Sequence, residues 1–423
     1  MGRGVRRVAL ALLAAAFAVT FLPGPWSDER VTDLFLYASY ADRFLGGELP
    51  YRDVPFEYPP LAAPVIALPG LAGTGEETYR LAFGALALVL AAALVVLAGS
   101  LARRTGGDPR RAMLATAAAP LLLGALVRTR FDLAPVVLTV AALALLCAHR
   151  PRAGMAVLGL GAMAKGFPLV VAPVALAWLV ARGERVAATE GANALALVCA
   201  TVAAAAVALS PAGALDAVTY HLERPVQIES APAMVLLGLD ALGAGEADVV
   251  HSHSSQGVEH PAATAVTGLF GVAMLGAIAV MAAGAARRTR KRSGTENPAD
   301  ARTLALASLG AVAAFAAFGK VLSPQFLIWL LPLGALALAW RMHALALAVA
   351  VASVLTMVEF PAHYGDVVAR DATALWLVAI RDAIMAGAVA LAARELLVSP
   401  GPARGSARSR LPARRRRPRP EQH

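Results

Sequence analysis

At 423 residues, with 58% hydrophobic and 16% charged residues and a mean hydropathy of +0.64, the chain falls outside the composition of soluble globular proteins. Its net charge of +10 would suit a nucleic-acid binder, but the basic residues lie at the ends of apolar runs and in a C-terminal tail, with no accompanying recognition fold. What remains is an all-α, polytopic integral membrane protein.

The chain opens with Arg3, Arg6 and Arg7 ahead of an apolar run over 8–22. No small-x-small cleavage site precedes Trp26, so an uncleaved first span is expected here and not a signal peptide. Further apolar runs predict about twelve crossings, over 5–22, 79–101, 111–127, 131–148, 153–165, 167–182, 190–209, 262–285, 301–319, 325–341, 343–359 and 372–394. The stretch 153–182 reads as two spans or one broken helix, and Gly166 and Pro168 favour the break. Cys147 and Cys199 lie inside apolar runs and suggest neither a disulfide nor a redox role.

With the N-terminus inside, Arg and Lys dominate the inner segments and Asp and Glu the outer ones, while Arg381 and Asp382 fall within the last span and cancel. Positive residues are hard to translocate, so both termini are expected on the cytoplasmic side of the plasma membrane. Residues 1–395 form the expected transmembrane domain. Residues 396–423, with the arginine run 414–417, form a disordered polybasic tail that would meet anionic head groups.

Two long loops, 23–78 and 211–261, fall on the outer side, where function is expected. In the first, Leu34, Tyr37, Ala38, Ala41 and Leu45 recur at helical spacing, with Asp42 and Arg43 opposite and Gly46 and Gly47 after them. This predicts an interfacial helix lying along the membrane, with Thr32 or Asp33 as its N-cap. Asp33 is therefore a helix cap or, with Asp28 and Glu57 close in sequence, a general base at the interface. Pro59 and Pro60 would fix an extended turn that returns Glu57 and Tyr58 to the helix.

The series Asp33-x-x-x-Tyr37, Gly46-Gly47-x-x-Pro50-Tyr51-x-Asp53 and Glu57-Tyr58-Pro59-Pro60 resembles family 87 of the glycosyltransferases, in the GT-C superfamily. The later segments Arg130-Phe131-Asp132, Lys165-Gly166-Phe167-Pro168, Tyr220-His221-x-x-Arg224-Pro225-x-Gln227 and Lys320-x-x-Ser323-Pro324-Gln325 extend the resemblance over roughly residues 26 to 335. It implies an enzyme that takes a sugar, mannose in its best-known members, from a polyprenyl-phosphate donor. An aspartate of the first external loop then serves as catalytic base. Asp33 matches that position, with Asp28 as its competitor.

Such a donor keeps its phosphate at the bilayer surface. Arg128, Arg130, Lys165, Arg224 and Lys320 stand at outer span ends, where a bound phosphate would balance them and where they would stabilise the leaving group. The alternative for each is snorkelling, or an ion pair with a neighbour such as Asp132 or Glu223. Tyr37, Glu57, Tyr58, Asp132, His221, Gln227 and Gln325 complete the expected substrate contacts. One carboxylate suffices, because a phosphate leaves without a strong acid, and a single displacement inverts the sugar.

The donor, a lipid or glycan acceptor and membrane lipids are the expected partners, without nucleic acid. His251, His253 and His260 lack the spacing of a metal motif and suggest a flexible loop, so neither metal nor cofactor is expected. The competing readings are a transporter or lipid flippase, and a cell-wall glycan ligase or polymerase built on the same lipid carriers.

Overall fold

Hydrocarbon offers backbone amides no partner, so each apolar run must satisfy its own hydrogen bonds and folds as helix. The computed structural model describes residues 3–289 and 297–398 and is predominantly helical. Among the described residues five helices are long and apolar enough to cross a membrane: Glu76–Arg104, Arg185–Leu209, Ala263–Arg288, Pro298–Phe318 and Ala372–Leu397. Shorter apolar helices accompany them, including Leu133–Leu146, Phe167–Ala181, Pro324–Ala339 and His343–Glu359. The expected polybasic tail lies, from residue 399 on, outside the described residues, while Leu396 and Leu397 still belong to the last helix.

Small residues decide which helix stands at the centre. Pro298–Phe318 is rich in Ala and Gly, and 83% of its apolar window is buried, against 6% for Arg185–Leu209. Ala305, Ala307, Ala311, Ala313 and Ala314 let neighbouring backbones close in on every side. Arg185–Leu209 turns its apolar side chains outward, as a lipid-facing helix does.

Two breaks shape the end that carries the two long loops. The expected span 111–127 is three pieces, Pro109–Ala118, Pro120–Leu123 and Leu126–Thr129. Pro120 starts the second piece. Gly124 ends it with a φ of 56°, where a side chain would also meet the main chain of Trp26. The break expected near Gly166 is present: Pro151–Ala164 stops at an extended Lys165, and a 3-10 turn over Phe167–Val170 leads into Val171–Ala181.

The first loop holds the expected helix as Leu34–Leu45 and a second, unexpected one, Ala62–Gly70. The two pack so closely that a Cβ at Gly70 would lie 2.9 Å from both Ala41 and Leu45. The buried stripe is Leu34, Tyr37, Tyr40 and Ala41, whereas Leu45 is exposed.

The second loop corrects the all-helical expectation. Besides helices Pro211–Glu223 and Ala231–Ala241 it carries a three-stranded antiparallel sheet: β1 Val226–Gln227, β2 Asp248–Ser252 and β3 Ser255–Glu259, in the order β1-β3-β2. The histidine-rich stretch expected to be flexible is the β2–β3 hairpin, turning at His253 and Ser254, both with φ of 52°.

Candidate active site

Asp33 occupies the N-cap position of Leu34–Leu45 yet makes no side-chain capping bond; Thr32 Oγ1 takes the Leu34 N–H at 3.3 Å. Asp33 Oδ2 instead forms an ion pair with the Arg130 guanidinium and accepts the Tyr37 hydroxyl at 3.3 Å. The reason is electrostatic. Arg130 is 3% exposed, and a buried guanidinium lacking a counter-charge costs far more than a lost cap. Arg130 also donates to the Val31 carbonyl at 3.3 Å. Asp33 stays 32% exposed, and its Oδ1 has no partner among the described residues. Asp28 goes elsewhere. It is tied to Arg30, at 2.7 Å through the guanidinium and 3.2 Å through the main chain, and that bond holds its carboxyl below the usual range.

An aromatic wall backs Asp33. Tyr37 is fully buried, stacked on Phe83 at 5.6 Å, with Phe131 and Tyr58 edge-on at 5.8 and 6.2 Å. Tyr58 reaches Phe131 at 5.1 Å, so the proline turn does return it to the helix. Burial pushes the Tyr37 and Tyr58 phenols well above their usual range, and the Asp33 charge adds to it, so both remain hydroxyl donors. Glu57 Oε2 accepts from the Tyr40 hydroxyl at 2.5 Å, and its main-chain oxygen bonds His221 Nε2 at 2.9 Å.

The five cations expected to meet a phosphate divide into two groups. Arg128 pairs with Glu29 at 2.6 Å, Arg130 with Asp33, and Lys165 with both Asp132 oxygens at 2.7 and 2.8 Å. Trp329 Nε1 donates to the same Asp132 at 2.6 Å. Arg224 and Lys320 have neutral partners only. Arg224 donates to Ser255 Oγ at 3.1 Å and Gln227 Oε1 at 3.5 Å, and Lys320 Nζ to the carbonyls of Leu222 and Arg224 at 2.7 and 2.8 Å. No acid among the described residues pairs with either, and burial together with the Arg224 charge lowers the Lys320 pKa.

The helix Pro211–Glu223 joins the acid side to the cation side. The Tyr220 phenol feels the charges of Glu57, Arg224 and Asp33, and the His221 imidazole those of Arg224 and Lys165. Asp132 is fully buried and Gln227 is 3% exposed; their polar atoms are engaged within the protein, holding Lys165 and Arg224. Gln325 is half-buried and accepts from Ser323 Oγ at 2.7 Å. His251, His253 and His260 face Gln256, Tyr220 and the Ala262 amide in turn, and no three metal-ligating side chains gather among the described residues. Glu29, Tyr40 and Trp329, which sequence reasoning passed over, hold Arg128, Glu57 and Asp132. Their partners lie too far along the chain for spacing to reveal them.

The model of one protein family, glycosyltransferase family 87, matches residues 56–324. That interval takes in Glu57, Tyr58, all five of these cations, Asp132, His221 and Gln227, and leaves Asp28, Asp33, Tyr37 and Gln325 outside. No curated protein matches the chain. Solved structures similar to it include the apo oligosaccharyltransferase of Archaeoglobus fulgidus, at 14% identity and a TM-score of 0.43, covering 91% of this chain and 56% of that one. Another is the archaeal oligosaccharyltransferase AglB of the same organism, in complex with an inhibitory peptide and a dolichol-phosphate, at 14% identity and a TM-score of 0.44, covering 94% of this chain and 56% of that one. The chain thus spans about half the length of those enzymes. Since the matched interval covers well over half of the sequence, the chain belongs to glycosyltransferase family 87.

Proposed function

We propose that this enzyme moves a sugar, mannose, from a polyprenyl-phosphate donor to a lipid or glycan acceptor on the extracytoplasmic face of the plasma membrane. About twelve crossings, both termini cytoplasmic, and the Leu34–Leu45 helix lying at the interface complete this reading. One observation carries it. Asp33, with one carboxylate oxygen held by Arg130, and Arg224 both lie within electrostatic reach of Tyr220, and Lys320 bonds the Arg224 carbonyl; the two cations are half-buried and have no acidic partner among the described residues.

In the proposed reaction Asp33 Oδ1 takes the proton of an acceptor hydroxyl as that oxygen attacks the anomeric carbon. The bond from that carbon to the phosphate oxygen breaks, and the electron pair leaves with the phosphate. Charge grows on the phosphate as it departs, so Arg224 and Lys320 stabilise the transition state more than the bound donor. Arg130 and the Tyr37 hydroxyl hold the base, and the Tyr58 ring backs Tyr37. A single displacement inverts the anomeric centre. The protein's own cations meet the leaving group, and the reading includes neither metal nor cofactor.

The test is Asp33→Asn in membranes supplied with polyprenyl-phosphate mannose. Transfer should fall by about 10²- to 10⁴-fold; transfer at the wild-type rate would reject Asp33 as the base.

A further inference from the structure

Gln227 stands between the two acid-free cations and a buried acidic cluster. Its main-chain N–H donates to the Lys320 carbonyl at 3.0 Å, and its main-chain oxygen accepts from Ser230 N and Oγ at 2.9 and 2.7 Å. Its side chain accepts from Arg224 through Oε1 at 3.5 Å and donates through Nε2 to Glu229 Oε2 at 2.8 Å. Glu229, 1% exposed, is itself anchored: its main-chain oxygen accepts from Arg381, which pairs with Glu359 at 3.3 Å and Asp382 at 3.0 Å. A continuous set of hydrogen bonds therefore runs from helices His343–Glu359 and Ala372–Leu397 to the Arg224 guanidinium, and the Arg224 carbonyl in turn accepts from the Lys320 ammonium.

We propose that Glu229 is a positioning residue for the donor-phosphate site, acting through Gln227 on Arg224 and Lys320. The inference rests on the reading of those cations as the phosphate site. The two ends of an amide are alike in shape but opposite in hydrogen bonding. Glu229 Oε2 accepts, which compels Gln227 to present its NH2 to Glu229 and its carbonyl oxygen to Arg224. With a neutral residue at 229 the amide could turn over, setting NH2 against a guanidinium, donor against donor. Burial, reinforced by the facing Glu359 charge, pushes the Glu229 carboxyl up. The Glu359 carboxyl meets Glu229, so any proton Glu229 takes is shared with that acid and Oε2 remains the acceptor for Gln227. Tyr364 and Arg224 complete the charged and titratable groups around this link.

The experiment titrates the full-length protein in nanodiscs with a short-chain polyprenyl monophosphate, without acceptor, for wild type, Glu229→Gln, Gln227→Met and the double variant. Each single change should weaken binding about tenfold, the double no further than either single, and the acceptor KM should hold in a parallel transfer assay. Additive losses, or variants that bind like wild type, would overturn the inference while leaving the phosphate site standing. A wild-type protein that fails to bind the lipid phosphate would remove the phosphate site and this inference with it. Should Glu229→Gln fail to fold, Gln227→Met keeps the Glu229–Arg381 anchor intact and carries the test alone.

Discussion

Arg130 binds Asp33 through one carboxylate oxygen and leaves the other without a hydrogen bond among the described residues. The pair joins the start of the first-loop helix to the end of a broken span, so the arginine orients the acid without blocking it. Arg130→Lys keeps the charge but loses the planar fork that serves Asp33 and the Val31 carbonyl together. It should cut kcat about tenfold or more with little change in donor KM. Steady-state transfer kinetics check this, and a change confined to donor KM would place Arg130 on the phosphate instead.

Among the described residues Lys320 has carbonyls but no acid for partners. Lys320→Met should raise the donor KM about tenfold, the loss of a charge-assisted contact, and leave the acceptor KM as it was. Equal effects on both substrates would show that the lysine holds the loop and not the phosphate.

Lys165 and Asp132 present the opposite case, a satisfied pair in which Asp132 is wholly buried. Removing either partner strands a buried charge, which costs about 3–5 kcal/mol. Lys165→Met should therefore lower the unfolding temperature sharply, and adding Asp132→Asn should recover most of the loss. Thermal unfolding in detergent distinguishes the cases; a double variant no more stable than the single would contradict the pairing.

His221 carries the pH dependence. Burial lowers its pKa against the opposing bond to the Glu57 carbonyl, and Arg224 and Lys165 lower it further. A histidine depressed in the fold is neutral there, so its stabilising effect is full above the ordinary imidazole range and is lost as pH falls through the folded value. Stability measured from about pH 7.5 down to about pH 5 should decline in the wild type and decline less in His221→Gln. Superimposable profiles would exclude His221 from the effect.

Local pattern made part of this legible in advance. Helical spacing from Leu34 to Leu45 pointed to the first-loop helix, and Gly166 and Pro168 to the break after Lys165. Proline and glycine also underlie the break at 120–124, yet a run of leucines around them read as one span. The hairpin at 248–259 escaped because polar, histidine-rich strands half open to solvent lack the alternation that marks a buried face. Hardest to foresee was the sorting of the cations. Arg128 and Arg130 stand two residues apart, and whether each met an acid depended on Glu29 and Asp33, remote in sequence and brought close only by the fold.

Those two ion pairs act as a double latch. Glu29 and Asp33 fasten the beginning of the first loop to Arg128 and Arg130, so that loop cannot rock without opening both bonds at once. The helix Pro211–Glu223 rests on the same loop, with His221 bonded to the Glu57 carbonyl and Gly213 so close to the Tyr51 main chain that no side chain would fit between them. In the proposed reaction this bracing keeps the Asp33 carboxylate in register with the acceptor hydroxyl.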